Sequence, residues 1–74
     1  MAYDYSKLSG RIKEKYGSNG RFATALGLSE HSFSKKITNK SRFKQSEITR
    51  SLDLLEIPYQ DVGEYFFKLE VKSA

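Results

Sequence analysis

The sequence has no cysteine and a single histidine, His31. The lack of cysteine excludes disulfides and thiolate metal sites, and it agrees with a reducing cytoplasm. One histidine, with no cysteine and no second histidine beside it, is too few ligands for a zinc site, so we expect no metal. Apolar runs are a few residues long, far below the roughly 20 needed to span a bilayer. No charged-then-apolar leader opens the sequence, so we expect no signal peptide.

The 74 residues are expected to form one domain, with a core over residues 5–66 and a tail over residues 67–74. A chain of this length buries about 60% of the surface that it exposes when unfolded, so most of it must contribute to the core. Such a core offers little room for a substrate cleft. Asp53 and Glu56 lie one helical turn apart, but one helix face is not a catalytic pocket. We therefore expect no enzymatic activity and no cofactor.

Positive and negative charges are unevenly distributed. The net charge is +4 overall, but residues 1–50 carry +7 and residues 51–74 carry −3. Five bases and no acid fall between Lys35 and Lys44. A basic face is the electrostatic footprint of a nucleic-acid-binding protein, although charge runs are more often ordinary solvated surface.

Residues 19–38 contain two short apolar patterns separated by a glycine. The apolar positions are Phe22, Ala23 and Leu26 in the first pattern and Leu28, Phe33 and Ile37 in the second. Gly27 follows the first pattern and is a typical helix stop, because glycine takes the left-handed conformation at little cost. Ser29 is a good N-cap for the second helix. Two short helices joined by a tight glycine turn predict a helix-turn-helix.

The outer face of the second of these helices is the part that a helix-turn-helix presents to the DNA major groove. Its candidate base contacts are Glu30, His31, Ser34 and Lys35. The candidate phosphate contacts are Asn19, Arg21, Thr38, Asn39, Lys40, Arg42 and Lys44. Phosphate contacts would fix the register and supply most of the affinity, whereas base contacts would read the sequence.

Helical periodicity also predicts a first helix between Tyr5 and Tyr16, a fourth over Gln45–Glu56 and a fifth that begins at Pro58. Residues 18–20 are expected to form a turn, and residues 40–44 are expected to form a polar, basic loop. Phe43 is expected to pin this basic loop to the core. The tail then alternates apolar and charged residues, as a half-buried strand does. The apolar residues in excess of a small core are candidate dimer contacts: Leu54, Phe67, Leu69 and Val71. The alternative is that the tail folds back over its own core.

A resemblance to a known family rests on five positions: Ala23, Gly27, Leu28, Ser29 and Phe33. There the segment resembles the helix-turn-helix of phage lambda repressor and Cro-type regulators. The resemblance implies an all-α, five-helix lambda-repressor-like DNA-binding domain, with the helix-turn-helix at helices 2–3 and a short C-terminal strand as an option. The opening YDYSKLSGRIKEKYG and the ending EYFF also resemble very small regulators encoded by temperate phages of Gram-positive bacteria. That resemblance implies a role in the cytoplasm of a bacterial host.

Three features depart from the lambda-repressor pattern. Lys36 stands where the pattern has an apolar residue, so its stem is expected along the edge of the core with its ammonium in solvent. Glu30 puts a negative charge at the helix end that approaches phosphates. It either reads a cytosine amino group or weakens DNA binding in favour of a protein partner. The lead-in Met1–Asp4 has no base, so no DNA-wrapping arm is expected.

Two functions follow from these residues. The first is a sequence-specific, Cro-like regulator of a phage genetic switch that inserts Ser29–Thr38 into operator DNA, as a homodimer if the tail pairs with a second copy. The alternative is an antirepressor with the same fold, which binds the phage repressor protein and occludes its DNA-binding face. The basic loop favours the first function, and Glu30 and the small size favour the second.

Overall fold

A computed structural model describes residues 2–70, which form five α-helices and one 3₁₀ turn. The helices are α1 (Ser6–Tyr16), α2 (Asn19–Leu26), α3 (Glu30–Ile37), α4 (Gln45–Leu54) and α5 (Val62–Phe66). The 3₁₀ turn, Tyr59–Asp61, leads directly into α5. The all-α, five-helix fold with a helix-turn-helix at helices 2 and 3 is thereby confirmed. No helix within residues 2–70 is long and apolar enough to cross a membrane.

Hydrogen bonds at the helix ends explain where α2 and α3 begin. The Ser18 side chain accepts a hydrogen bond from the backbone N–H of Arg21, at 3.2 Å. This N-cap starts α2 at Asn19, so the turn predicted over residues 18–20 is wrong. Ser29 caps α3 in the same way by accepting from the backbone N–H of Ser32, as the sequence predicts.

The turn between α2 and α3 depends on Gly27, whose φ of 86° lies in the left-handed region. The Leu28 N–H donates to the Ala23 carbonyl at 2.9 Å, and the Gly27 N–H donates to the Thr24 carbonyl at 3.1 Å. These bonds satisfy carbonyls at the end of α2 and redirect the chain into α3. The predicted glycine stop is therefore confirmed.

The core contains a chain of aromatic rings that contact one another edge to face. The ring centroids are 5.2 to 5.9 Å apart along Tyr16, Phe22, Phe33, Phe43 and Phe66. Such tilted pairs are favourable beyond the apolar area that they bury. Phe43 belongs to the loop between α3 and α4, so its ring holds that loop against the core as predicted.

The tail does not form the predicted strand within the described residues. Phe67 is the C-cap of α5, and beyond it the backbone makes one isolated antiparallel bridge, between Leu69 and Tyr3. The Asp4 N–H donates to the Lys68 carbonyl at 2.6 Å, and the Glu70 N–H donates to the Ala2 carbonyl at 3.0 Å. The first residues of the chain therefore hold the tail, and the alternation of apolar residues reflects a short extended pairing.

Candidate partner-binding face of the helix-turn-helix

The outward side of α3 carries the four candidate base contacts. Glu30, His31, Ser34 and Lys35 are all exposed, and we call them the recognition face. They face outward because Phe33, 1% exposed, and Ile37, half-buried, anchor the opposite side of the helix in the core. The structure thus brings the four residues together on one surface.

The Glu30 side chain leans toward α2. A Cβ atom added to Gly20 would lie 3.2 Å from Glu30 Cδ and 3.3 Å from each carboxylate oxygen. The carboxylate therefore rests against the first turn of α2, where the helix dipole favours a negative charge.

Lys36 lies inside the molecule, which corrects the expectation that its ammonium is in solvent. The residue is 7% exposed, and its Nζ atom lies 3.0 Å from Glu47 Oε1 on α4. The same ammonium donates a hydrogen bond to the Arg42 carbonyl, also at 3.0 Å. A buried ammonium needs such partners, because burial without them is costly. The ion pair joins α3 to α4 underneath the basic loop.

Glu47 also fixes the start of α4. Its Oε1 atom accepts a hydrogen bond from the Lys44 N–H at 2.8 Å, which satisfies one of the free donors at the helix end. Burial alone raises the pKa of Glu47, but the Lys44 backbone N–H and the Lys36 ammonium outweigh it, so that the pKa is lowered. The carboxylate is therefore charged near neutral pH.

The basic loop, residues 38–44, presents three exposed cations. They are Lys40, Arg42 and Lys44. The loop turns sharply after α3 because Asn39 has a left-handed backbone, with φ of 67°, and because the Lys40 N–H donates to the Lys35 carbonyl at 2.8 Å. Thr38 is exposed, and its hydroxyl donates to the Ser34 carbonyl at 2.7 Å. The cations are thus displayed directly beside the recognition face.

Asn39 makes two hydrogen bonds that the sequence does not indicate. Its Oδ1 atom accepts from the Tyr3 N–H, and its Nδ2 atom donates to the Tyr3 carbonyl, both at 2.9 Å. The residue therefore anchors the first residues of the chain to the basic loop. The bond to the Tyr3 carbonyl uses one of the two hydrogens on Nδ2, which leaves one amide N–H for a phosphate contact.

The two candidate phosphate contacts on α2 differ in their surroundings. Arg21 is exposed, whereas Asn19 is half-buried at the start of the helix. The Asn19 Oδ1 atom is buried and has no hydrogen-bond partner within the described residues. Arg21 adds a positive charge at the start of α2, and Asn19 adds none.

The candidate dimer contacts differ in how far their side chains are exposed. Phe67 is 51% exposed and Leu69 is 44% exposed, but Leu54 is half-buried against the core. The Phe67 ring lies edge-on to Tyr3 with centroids 6.1 Å apart. Val71 lies outside the described residues. Phe67 and Leu69 therefore remain the exposed part of this prediction.

Two short helices crossed at a glycine turn, with an exposed outer face and cations beside it, define a small helix-turn-helix protein. Within residues 2–70 no group of acidic or histidine side chains is placed to hold a metal ion.

The comparisons with known proteins assign the chain to a family. It belongs to the family described as "Protein of unknown function (DUF739)", which matches residues 1–69. It is also similar to a solved structure, the modulator of repression (MOR) of the temperate bacteriophage TP901-1 from Lactococcus lactis. The two chains are 44% identical, the match covers 97% of each, and the TM-score is 0.81. The search of curated proteins gave no match.

The similarity to MOR confirms the resemblance to small temperate-phage regulators. A modulator of repression is a regulatory protein, which confirms that this chain is not an enzyme. The DNA contacts and dimer contacts predicted from the sequence remain predictions.

Proposed function

We propose that this chain is a modulator of phage repression that acts by binding the repressor protein of its own phage. It works in the cytoplasm of the bacterial host, at the switch between lysogeny and lytic growth. The observation that carries this proposal is the 44% identity to MOR over 97% of both chains. The bound repressor would be prevented from occupying its operator.

Features of the recognition face favour a protein partner over DNA alone. The Glu30 carboxylate lies at the end of α3 that would approach phosphates, and like charges repel there. The residues before α1 contribute no base. The charge of Glu30 and the lack of a base in these residues both count against DNA as the partner.

The test is a three-component binding experiment with the chain, the repressor of the same phage and the operator duplex. We expect the chain to form a stable complex with the repressor in size-exclusion chromatography. We also expect it to release the repressor from the operator in a mobility-shift assay. Absence of a complex when the two purified proteins are mixed would overturn the proposal.

A direct DNA-binding role is the second candidate, and the exposure of Lys35 beside the basic loop favours it. His31, Ser34 and Lys35 are free of salt bridges within residues 2–70 and stand next to three cations. An ammonium can pair with guanine O6 or N7, and the loop cations can contact phosphates. Binding to operator DNA in the absence of repressor is the measurement that separates the two roles.

A further inference from the structure

The first residues that the structure describes form a short extended segment, residues 2–4, which we call the strap. Its Ala2 carbonyl accepts a hydrogen bond from the Glu70 N–H at 3.0 Å. Its Asp4 N–H donates to the Lys68 carbonyl at 2.6 Å. Both bonds lie on the edge of the strap that faces the tail. The backbone groups of Tyr3, the residue between them, point to the opposite edge, because hydrogen bonds alternate from side to side along an extended chain.

The side chain of Asn39 occupies that opposite edge. Its amide accepts from the Tyr3 N–H and donates to the Tyr3 carbonyl, both at 2.9 Å. A carboxamide has an acceptor and a donor, as a peptide group does, so it can take the place of a neighbouring strand. Asn39 lies in the basic loop, where the next two N–H groups, of Lys40 and Ser41, both donate to one carbonyl at the end of α3. The strap is therefore bonded on one edge to the tail and on the other to the turn that displays the loop cations.

Aromatic rings connect the same three segments. The centroid of the Tyr3 ring lies 6.1 Å from that of Phe67 in the tail and 6.1 Å from that of Tyr5. The Tyr5 ring lies edge-on to Phe43 of the basic loop, with centroids 5.4 Å apart. Tilted and edge-on pairs at such distances attract one another. The hydrogen bonds and the rings thus form two links between the tail and the loop, and both pass through Tyr3.

The position of the strap allows it to open without unfolding of the core. Asn39 and Glu70 are exposed, so water competes for the hydrogen bonds that they make to the strap. A hollow of about 580 Å³ lies beside the strap, between the basic loop and the end of α5. Surface hydrogen bonds and sparse packing are typical of segments that open locally while the rest of a protein stays folded.

We propose that the strap couples the basic loop to the tail, so that the two open and close as one unit. When Asn39 releases Tyr3, the strap loses the bonds on one edge and the tail loses its support. When the tail is released, the hold on Asn39 weakens in turn, because coupling of this kind is reciprocal. A partner that holds the loop cations therefore also orders Phe67 and Leu69, the exposed apolar residues of the tail. The coupling is a property of this chain alone, whichever partner it binds.

Hydrogen exchange of single amides, followed by NMR on the full chain, tests the coupling from the loop to the tail. Asn39→Gly removes the amide and introduces a residue that adopts the left-handed conformation readily. We expect the Glu70 N–H, which is bonded to Ala2 and not to Asn39, to exchange about fivefold faster or more. Glu56→Gly is the matched control, because Glu56 also has a positive φ, 54°, and its side chain pairs with Lys15. It should leave this exchange rate within about twofold.

The reverse direction, from the tail to the loop, is tested with Glu70→Pro, which removes the donor to the Ala2 carbonyl. Glu70→Ala is its control, because alanine keeps that N–H. Glu70→Pro is expected to speed exchange of the Tyr3 N–H and of the Lys40 N–H about fivefold or more, as loss of a hydrogen bond of ordinary strength does. Glu70→Ala should change neither rate by more than about twofold.

The double variant joins the two tests at the Asp4 N–H, which every variant keeps. Asn39→Gly and Glu70→Pro should each speed its exchange, and together they should give less than the product of the single effects, because either change already opens the unit. Single effects that multiply would contradict the coupling. It is also overturned if Asn39→Gly speeds exchange of the Tyr3 N–H alone, since the loop and the tail then open separately. Core amides are the internal reference, and equal acceleration there would show loss of the whole fold and contradict a local unit.

Discussion

At the scale of single residues, Lys36 shows how a charged side chain can replace an apolar one in a small core. Its stem fills the apolar position, and its ammonium reaches Glu47 on α4 and the Arg42 carbonyl in the basic loop. Buried pairs are often no more stabilising than an apolar replacement of both residues, but loss of one partner is costly. The pair therefore makes the packing of α3 against α4 depend on two specific residues.

Replacement of Lys36 by methionine is expected to lower the free energy of unfolding by about 1–3 kcal/mol, because Glu47 loses its cation while it stays mostly buried. Lys35→Met is the matched control, because Lys35 is the next residue along the chain and its side chain is exposed. Its free energy of unfolding is expected to stay within about 0.5 kcal/mol of that of the unaltered chain. Urea unfolding followed by circular dichroism measures both. Equal stability of the two variants would contradict the role of the ion pair.

The lowered pKa of Glu47 predicts how this contribution depends on pH. A carboxylate whose pKa is lower in the folded than in the unfolded state stabilises the fold above its ordinary pKa, and the stabilisation is lost as the pH falls through the folded value. The difference in stability between the unaltered chain and Glu47→Gln should be largest at neutral pH and should decrease as the pH falls below the ordinary pKa of glutamate. Urea unfolding at a series of pH values tests this. A difference that is constant or grows on acidification would be inconsistent with a charged, paired Glu47.

The residues of the recognition face could be predicted from the sequence, whereas their supporting contacts could not. Exposure of His31 and Lys35 follows from the helical spacing of Phe33 and Ile37, which is a local pattern. The pairs Lys36–Glu47 and Tyr3–Asn39 join separate elements, and no spacing rule indicates that they meet. The sequence therefore does not indicate that the Lys36 ammonium is buried, because the proximity of Lys36 to Glu47 is known only from the structure.

At the scale of elements, α2 and α3 were predictable because each has its stop or start signal in the sequence. Gly27 ends α2 and Ser29 caps α3 by local hydrogen bonds. The structure of the tail could not be predicted, because alternation of apolar and charged residues over so few positions fits a short extended pairing as well as a strand. What decides between them is the position of Ala2 and Tyr3, which lie far away along the chain.

Two glycine-to-alanine changes test the requirements of α1 and of the turn after α2. Gly10 lies within α1, is exposed and has no atom within 4 Å of an added Cβ. Gly10→Ala is therefore expected to stabilise the fold by about 0.5–1 kcal/mol through better helix propensity. Gly27 also has room for a Cβ, but its φ of 86° is unfavourable for alanine, so Gly27→Ala should destabilise by about 1–2 kcal/mol.

Urea unfolding midpoints of these two variants give the comparison. Neither added methyl group contacts a neighbouring atom. If the two variants change stability in opposite directions, the cause is therefore the backbone conformation and not packing. If Gly27→Ala were as stable as Gly10→Ala, the left-handed turn between α2 and α3 would not be a constraint on the sequence.

At the scale of the whole molecule, charge separates the surface that can approach DNA from the surface that cannot. The first 50 residues carry +7 and the last 24 carry −3. The basic loop follows α3 directly, whereas the acids of the last 24 residues are spread from the second half of α4 to the residues after α5. A single α3 covers few base pairs, and a second copy is needed to read two half-sites about 34 Å apart. We therefore expect one copy alone to bind DNA through charge, with little preference for its sequence.

If the chain acts on the repressor, its own binding to DNA should be weak, strongly dependent on salt and nearly indifferent to sequence. About four phosphate contacts give a slope of about −4 in a plot of log affinity against log salt concentration. Operator and scrambled duplexes should then differ by less than about tenfold in fluorescence anisotropy at physiological salt, and Lys35→Ala should lower both affinities alike. A specific DNA reader prefers its site by about 10³-fold or more. A preference of that size, lost in Lys35→Ala, would restore the Cro-like function and leave repressor binding without a role.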